Sequence, residues 1–353
     1  MSNVARIAPD RLQDWSTRLL IAAGVPREDA EEVARHLLFA DLRGIDTHGT
    51  SRLKIYLVRI ASGVLSPTTR ITVLRESPVS ALLDGGNGLG HVISRRATDL
   101  AIAKAKSSGV GIVGVRNSNH NGCMAYYTLL MAEAGLIGFA CTNSVANMPP
   151  WGGLQMFFGT NPISMAAPAA ESPPFVFDMA TSQVARGKII NAAREGKPIP
   201  EGWAMTREGL PTTDSKAAME GVLLPMAGPK GSALAYGVEV LAGVLTGALI
   251  GPELPRMYEQ LDQPQQVGHF FMAFRPDLFR PMEEFTRRMD QTAEMVRAVP
   301  PVPGVDQVLV PGDLERMRAE ENRRLGVPIT PGVRREFAEM AETYGVPLPE
   351  ELQ

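Results

Sequence analysis

Val110-Gly111-Ile112-Val113-Gly114-Val115-Arg116-Asn117-Ser118-Asn119-His120-Asn121-Gly122 is the stretch on which the reading of this chain turns. Val110 to Val115 has the composition of a buried strand, and Met124 to Ala134 is a helical run. Between them lies a polar cluster at the carboxyl end of a strand, where open α/β sheets place ligands. Asn117, Ser118, Asn119 and Asn121 surround one imidazole, His120, and offer it hydrogen-bond partners. Histidine is the side chain most readily tuned to exchange a proton near neutral pH. The alternative is a strand-to-helix turn that is polar because turns are polar.

Gly109 to Gly114 also matches G-x-G-x-x-G. The dinucleotide fingerprint needs its glycines after a strand and at a helix start, so that helix amides face the pyrophosphate. Here a helix precedes the pattern and the glycines lie within the strand, so the match is a false lead. No other segment carries a Rossmann fingerprint or a Walker A loop.

With 353 residues, a hydrophobic fraction of 44% and a net charge of −3, the chain is long enough for about two domains and a sizeable core. It has no basic tract, which argues against nucleic acid and anionic membrane as partners. Its two cysteines, Cys123 and Cys141, form neither a disulfide framework nor a metal-ligand spacing, which fits a reducing, cytoplasmic setting. The first residues lack the apolar core of a signal peptide. Ala233 to Ile250 is nearly all apolar but contains Glu239, so it reads as a buried, small-residue helix rather than a membrane span.

The first sixty or so residues read as three helices: Asp10 to Ala23, a second that opens at Pro26 and stops near Gly44, and a third from about His48 or Thr50 to Ser62. At the start of the third, Asp46-Thr47-His48-Gly49-Thr50-Ser51-Arg52 gathers ionisable and hydroxyl groups. His48 and Arg52, four apart, would share a face, and an imidazole beside a guanidinium is suited to meet a carboxylate. The competing reading is an N-cap with a solvated face. From Ile71 onward short strands alternate with helices. Thr142-Asn143-Ser144 and Asp178-Met179-Ala180-Thr181-Ser182 repeat the polar strand end, so three strand ends either rim one site or are three ordinary loops. Lys230, opening the apolar helix, either holds an anion with the helix amides or is solvated. His269, in the strand Val267 to Phe274, reads from its surroundings as a core residue.

The five histidines show no H-x-x-x-H spacing, and no G-x-S-x-G occurs, which disfavours a zinc or a serine hydrolase. What remains is an enzyme that moves a proton at a carboxylate substrate, or a carboxylate-binding module without chemistry.

Several motifs together resemble one family. Asp41-Leu42-Arg43-Gly44-Ile45-Asp46-Thr47-His48-Gly49 with Arg52 is similar to a segment of the malate/L-lactate dehydrogenases that lack the Rossmann fold. These include malate, ureidoglycolate and sulfolactate dehydrogenases, diketogulonate reductase and cyclic-imine reductases. Asn117 to His120, Trp151-Gly152-Gly153, Phe158 to Pro162, Phe177 to Ser182, Arg186-Gly187-Lys188, Ala193 to Gly196, Pro229-Lys230-Gly231 and Val310-Pro311-Gly312 follow in order over nearly the whole chain. The resemblance implies an α/β fold: a non-Rossmann NAD(P)-binding central domain with a mixed sheet, residues 71–280. A helical N-terminal segment, 1–70, would pack with a helical C-terminal segment, 281–353. It also implies a homodimer that uses NAD or NADP to transfer hydride to and from a small 2-hydroxy or 2-oxo acid.

By the same resemblance Ser144, Asp178, Met179, Ala180, Lys230, His269, Phe270, Phe271, Pro311, Gly312 and Asp313 line the cofactor. Arg52, with Thr160 and Lys188, meets the substrate. His120 matches the base of ureidoglycolate-type enzymes, and His48 the proton donor of imine reductases. In the latter a serine precedes the histidine and an aspartate completes a relay. Here Thr47 precedes His48 and Lys188 stands where the aspartate would be, which points to 2-hydroxy acids rather than imines; a cyclic-imine reductase and a non-catalytic relative are the alternatives.

Overall fold

The computed structural model describes residues 4–353. Met1–Asn3, which open the stretch read as lacking a signal peptide's apolar core, lie outside them. The chain begins with β1 (Ala5–Ile7), α1 (Pro9–Ala22) and α2 (Arg27–Leu42). Two 3-10 turns, Asp46–His48 and Thr50–Arg52, then lead into α3 (Leu53–Ala61). The expected single helix from His48 or Thr50 to Ser62 is therefore broken at Gly49, which is extended (φ −90°, ψ −154°). The buried Asp41 carboxyl accounts for the break. One of its oxygens accepts the Thr50 N–H at 2.9 Å and the Thr50 hydroxyl at 2.6 Å. A Cβ at position 49 would lie 1.7 Å from the other oxygen, so only glycine fits.

The centre is a seven-stranded sheet built from β2 (Thr72–Glu76), β3 (Ser80–Asp84), β4 (Val110–Ser118), β5 (Ile137–Thr142), β6 (Ile163–Ala167), β7 (Phe175–Met179) and β11 (Val267–Phe274). Its order is β2-β3-β4-β11-β5-β6-β7, and only β3 and β4 run parallel. Ile163 to Ala167 carries little strand signal in the sequence because its run is short and three of its five residues are small. The long-range strand β11 sits between β4 and β5 and pairs antiparallel with both. That register brings the ends of β4, β5 and β7 and the start of β11 to one edge of the sheet.

Helices α4 (Gly90–Ser108) and α5 (Ala125–Glu133) pack against the sheet around Val113, Tyr127, Met131 and Phe271, all fully buried. The strand glycines serve this packing: a Cβ at Gly111 would lie 2.0 Å from the Ala101 carbonyl of α4. The G-x-G-x-x-G match thus marks close helix-to-strand approach. Across the sheet, α8 (Pro229–Val238) continues into one π-helical turn, Glu239–Val244. This segment is not the wholly buried helix that its composition predicts. Ala235, Val238 and Ala242 are buried, while Tyr236, Val244 and Leu245 are 60%, 63% and 62% exposed. No helix among the described residues is long and apolar enough to cross a membrane.

Between β7 and α8 lie α6 (Arg186–Arg194), α7 (Ser215–Glu220) and the small sheet of β8 (Ala204–Met205), β9 (Pro211–Thr212) and β10 (Val222–Leu223). After β11 come α9 (Met282–Arg297), α10 (Asp313–Leu325), β12 (Val327–Ile329) and α11 (Pro331–Tyr344). The two chain ends share one apolar core. There β1 pairs with β12, and the Trp15 and Phe337 rings lie 4.7 Å apart. Helix α9 buries none of its residues and stands beside the start of β7, where Asp290 accepts the Glu171 and Ser172 amides at 3.0 Å.

Candidate active site

The loop after β4 and the 3-10 turns before α3 meet face to face. The His48 and His120 rings stack at 5.5 Å with 26° between their planes. Thr47 Oγ1 lies 2.9 Å from His48 Nδ1. Arg52, on the same loop as His48, donates from Nε to the Thr47 carbonyl and from Nη1 to the Tyr258 hydroxyl. The Arg52–Tyr258 contact joins segments 206 residues apart, and nothing local in the sequence announces it.

The amide-rich stretch around His120 does not supply the partners its composition promised. Asn117 Nδ2 donates to Asp84, Asn119 Nδ2 to Asn87 and the Gly88 carbonyl, and Asn121 Nδ2 to Ser94. Ser118 Oγ lies 2.8 Å from His269 Nε2. These groups tie the glycine-rich Asp84–Leu89 loop, α4 and β11 to the turn and so fix the backbone under His120. The imidazole itself meets Tyr56, whose hydroxyl is 2.7 Å from Nδ1. The Gly122 N–H points at the same nitrogen from 3.3 Å, and the His120 amide donates to Gln265 Oε1 at 3.3 Å. Tyr56 and Gln265 are site residues that the sequence reading missed. Tyr56 lies four residues beyond Arg52 and was readable only as an apolar helix position.

Burial, then the Arg52 charge and the neighbouring imidazoles, holds the His120 pKa well below the usual histidine value. Burial and then Arg52 bring His48 down to about 3. Both rings are therefore neutral. The Tyr56 phenol is raised by burial and stays protonated. Its O–H can donate to an unprotonated Nδ1 or accept from an Nδ1–H, so the same bond persists in either tautomer and in the imidazolium. His91 and His36 extend the cluster inward, with ring centroids 6.4 Å from His120 to His91 and 4.7 Å from His91 to His36.

The other expected site residues are distributed along the same sheet edge and beyond it. Ser144 donates its amide to Asn161 Oδ1 at 3.1 Å, and its hydroxyl lies 3.4 Å from that of Thr160. Asp178 accepts the Ala125 N–H at 2.8 Å at the start of α5. Burial raises its pKa to about 6, against the lowering effect of the Ala125 and Met124 amides. Met179 is exposed and Ala180 half-buried. Lys188 and Lys230 are exposed, the latter in the first turn of α8. Gly187, beside Lys188, approaches Thr47, where an added Cβ would lie 3.4 Å from Cγ2.

His269 is fully buried with both ring nitrogens engaged, Nδ1 at 2.7 Å from Thr142 Oγ1 and Nε2 on Ser118. Burial lowers its pKa to about 3. Phe270 packs with Val238 and Ala242 on one side of the sheet, and Phe271 with Tyr127 on the other. Pro311, Gly312 and Asp313 lie at the start of α10, where Asp313 is gripped by Arg297 at 2.8 and 3.0 Å.

A neutral imidazole held by a phenol, beside a guanidinium that no carboxylate among the described residues pairs with, can bind a small carboxylate and exchange a proton with it. Proteins of known activity resemble this chain in sequence and fold. A malate dehydrogenase from Pyrococcus horikoshii is 41% identical over 352 residues, covering 98% of this chain and 97% of that one. The structure of sulfolactate dehydrogenase from Methanocaldococcus jannaschii superposes with a TM-score of 0.91 at 35% identity, covering 97% of this chain and 98% of that one. A Δ1-piperideine-2-carboxylate reductase from Pseudomonas syringae superposes with a TM-score of 0.86 at 31% identity, covering 95% and 99%. The family model for malate/L-lactate dehydrogenase matches residues 7–338, and the chain belongs to that family.

Proposed function

We propose that His120 exchanges the proton and Arg52 holds the carboxylate in the reaction of this chain, an NAD(P)-dependent oxidoreductase that transfers hydride between nicotinamide and a small 2-hydroxy or 2-oxo acid. The observation that carries these roles is the stack of His48 on His120 with Arg52 on the loop that bears His48.

The residues present fit a dinucleotide. Lys230 stands exposed at a helix start preceded by Gly228 (φ +63°), an arrangement that suits a phosphate. In the turn before α10, Gly312 (φ +96°) packs so closely on Val176 that a Cβ would lie 2.7 Å from it, and the buried Arg316 Nε has no partner. Ser144, Asp178 to Ala180, Lys230 and Pro311 to Asp313 are the positions we assign to the coenzyme. His269, Phe270 and Phe271 support that edge of the sheet from β11. When bound, the nicotinamide supplies or accepts the hydride.

The remaining work falls to the chain. Arg52 forks the substrate carboxylate, with Thr160 and Lys188 near it, and fixes the 2-position. With Nδ1 protonated and donating to the Tyr56 oxygen, His120 Nε2 takes the hydroxyl proton in oxidation and returns it to the forming hydroxyl in reduction. His48 is the second candidate for that proton. The Thr47 hydroxyl meets its Nδ1, and no carboxylate among the described residues bonds that hydroxyl to complete a relay, which supports a 2-hydroxy acid over a cyclic imine. His120→Ala tests the assignment: coenzyme binding is retained and most turnover is lost. Unchanged turnover would move the role to His48.

We place a second copy of the chain on the exposed apolar face of α8 and its π turn, since a contiguous patch of this kind marks an interaction site. Cys123 and Cys141 are free and buried, which suits the reducing cytoplasm we assign to the protein.

A further inference from the structure

A cavity of about 210 Å³ opens between the Pro173–Val176 segment, the turn Val310–Gly312 and α9, and no histidine lines it. Its walls are mostly apolar, but Arg43, Arg297 and Arg316 line it together with a single carboxylate, Asp313. Asp313 already accepts three hydrogen bonds. Arg297 Nη2 is 2.8 Å from Oδ1, Arg297 Nε is 3.0 Å from Oδ2, and the Val310 N–H is 3.0 Å from Oδ2. Arg316 reaches Oδ1 only at 3.7 Å, with its other terminal nitrogen on Glu320 at 2.8 Å. Its Nε is buried and unpartnered.

Arg43 lies 3.9 Å over the Phe39 ring. Glu315 and Glu133 act on it only through space, and burial pushes its pKa down. A desolvated guanidinium without an ion-pair partner is costly unless an anion arrives. A ribose diol is best met by a free carboxylate, and a ribose 2′-phosphate by arginine. This cavity has arginine in excess and no free carboxylate.

We propose that the cavity takes the 2′-phosphate of the coenzyme's adenosine, with Arg43 and Arg316 as its ligands, and that the chain therefore prefers NADPH to NADH. This rests on the oxidoreductase reading and on Pro311 to Asp313 lining the coenzyme. The test is an equilibrium fluorescence titration of the full chain with NADPH and with NADH. Bound NADPH is then displaced by 2′,5′-ADP and, separately, by 5′-AMP.

The expected result is that 2′,5′-ADP displaces at about ten-fold lower concentration or better, the yield of a charge-assisted phosphate contact. The gap should narrow as salt is raised, and Arg43→Gln should shrink it. If Arg43→Gln does not fold, Arg316→Gln carries the same expectation. Equal displacement by the two nucleotides, tighter binding of NADH, or an unchanged gap in both folded variants would overturn the proposal while leaving the oxidoreductase reading standing. Failure of the folded chain to bind either coenzyme would remove both.

Discussion

The Tyr56 hydroxyl lies 2.7 Å from His120 Nδ1, and this bond joins the helix that follows Arg52 to the turn that follows β4. It holds the ring by Nδ1 and leaves Nε2 free for the role proposed for it. Tyr56→Phe keeps the packing and removes the bond. A net hydrogen bond contributes about 1 kcal/mol, so turnover should fall roughly five- to ten-fold. Coenzyme affinity should not change. Steady-state rates at saturating coenzyme decide this, and full activity in the phenylalanine variant would take Tyr56 out of the relay.

Arg52 meets Thr47 and Tyr258, and its fork is the feature assigned to the substrate. Lysine keeps the charge but cannot fork a carboxylate. Arg52→Lys should raise KM for the acid about ten-fold or more with a smaller change in kcat, because the lost contact is made in ground and transition states alike. A KM equal to that of the unaltered protein would free Arg52 of this role.

The free protein carries His120 neutral, its pKa held below the ordinary 6.5 by burial and by Arg52. A base must be unprotonated, so oxidation persists until pH falls through the lowered value. The acid limb of kcat/KM for hydroxy-acid oxidation should thus lie below pH 6.5. A limb at or above that value would mean that the ring is solvated in the working enzyme.

Burial raises the Asp41 pKa from 3.8 to about 7, against the lowering effect of the Thr50 hydrogen bonds. Folding therefore favours its protonated form. The resulting stability is complete below pH 3.8 and is lost as pH rises through about 7. Asp41→Asn removes the titration, so its melting temperature relative to the unaltered protein should improve from pH 5 to about pH 7 and level off by pH 8. Thermal unfolding across that range checks it; a flat difference would show that the carboxyl does not titrate there.

Trp15 and Phe337 pack at 4.7 Å where the two chain ends meet, and both are fully buried. Phe337→Ala should cost about 3–5 kcal/mol, as large-to-small changes of an aromatic in a core do. Denaturant unfolding measures it, and a loss near zero would mean that the two ends do not rely on each other for stability.

Much of this was legible in the chain, for identifiable reasons. Val267 to Phe274 is apolar except for His269, and its observed bounds are those the sequence predicts. The polar ends of β4, β5 and β7 could be named from sequence, but their meeting at one edge depends on β11 inserting between β4 and β5. That pairing spans over a hundred residues and has no local signature. The break at Gly49 was hidden because its cause, Asp41, belongs to the preceding helix. His120 could be singled out by its neighbours, yet those neighbours proved to bind Asp84, Asn87 and Ser94, and its partner Tyr56 came from 64 positions upstream. The exposure of Tyr236 and Leu245 was illegible because a composition that is apolar all round does not show which face is left open.

The most direct test of the oxidoreductase reading and of its proton-exchanging residue uses the unaltered protein and His120→Ala side by side. Each is titrated with NADPH and NADH by fluorescence, then given a panel of small 2-oxo acids while coenzyme oxidation is followed. The expected result is saturable coenzyme binding by both proteins, with oxidation by at least one 2-oxo acid in the unaltered protein and little in the variant. Binding of neither coenzyme by the folded, unaltered protein would contradict it and leave a carboxylate-binding module in its place.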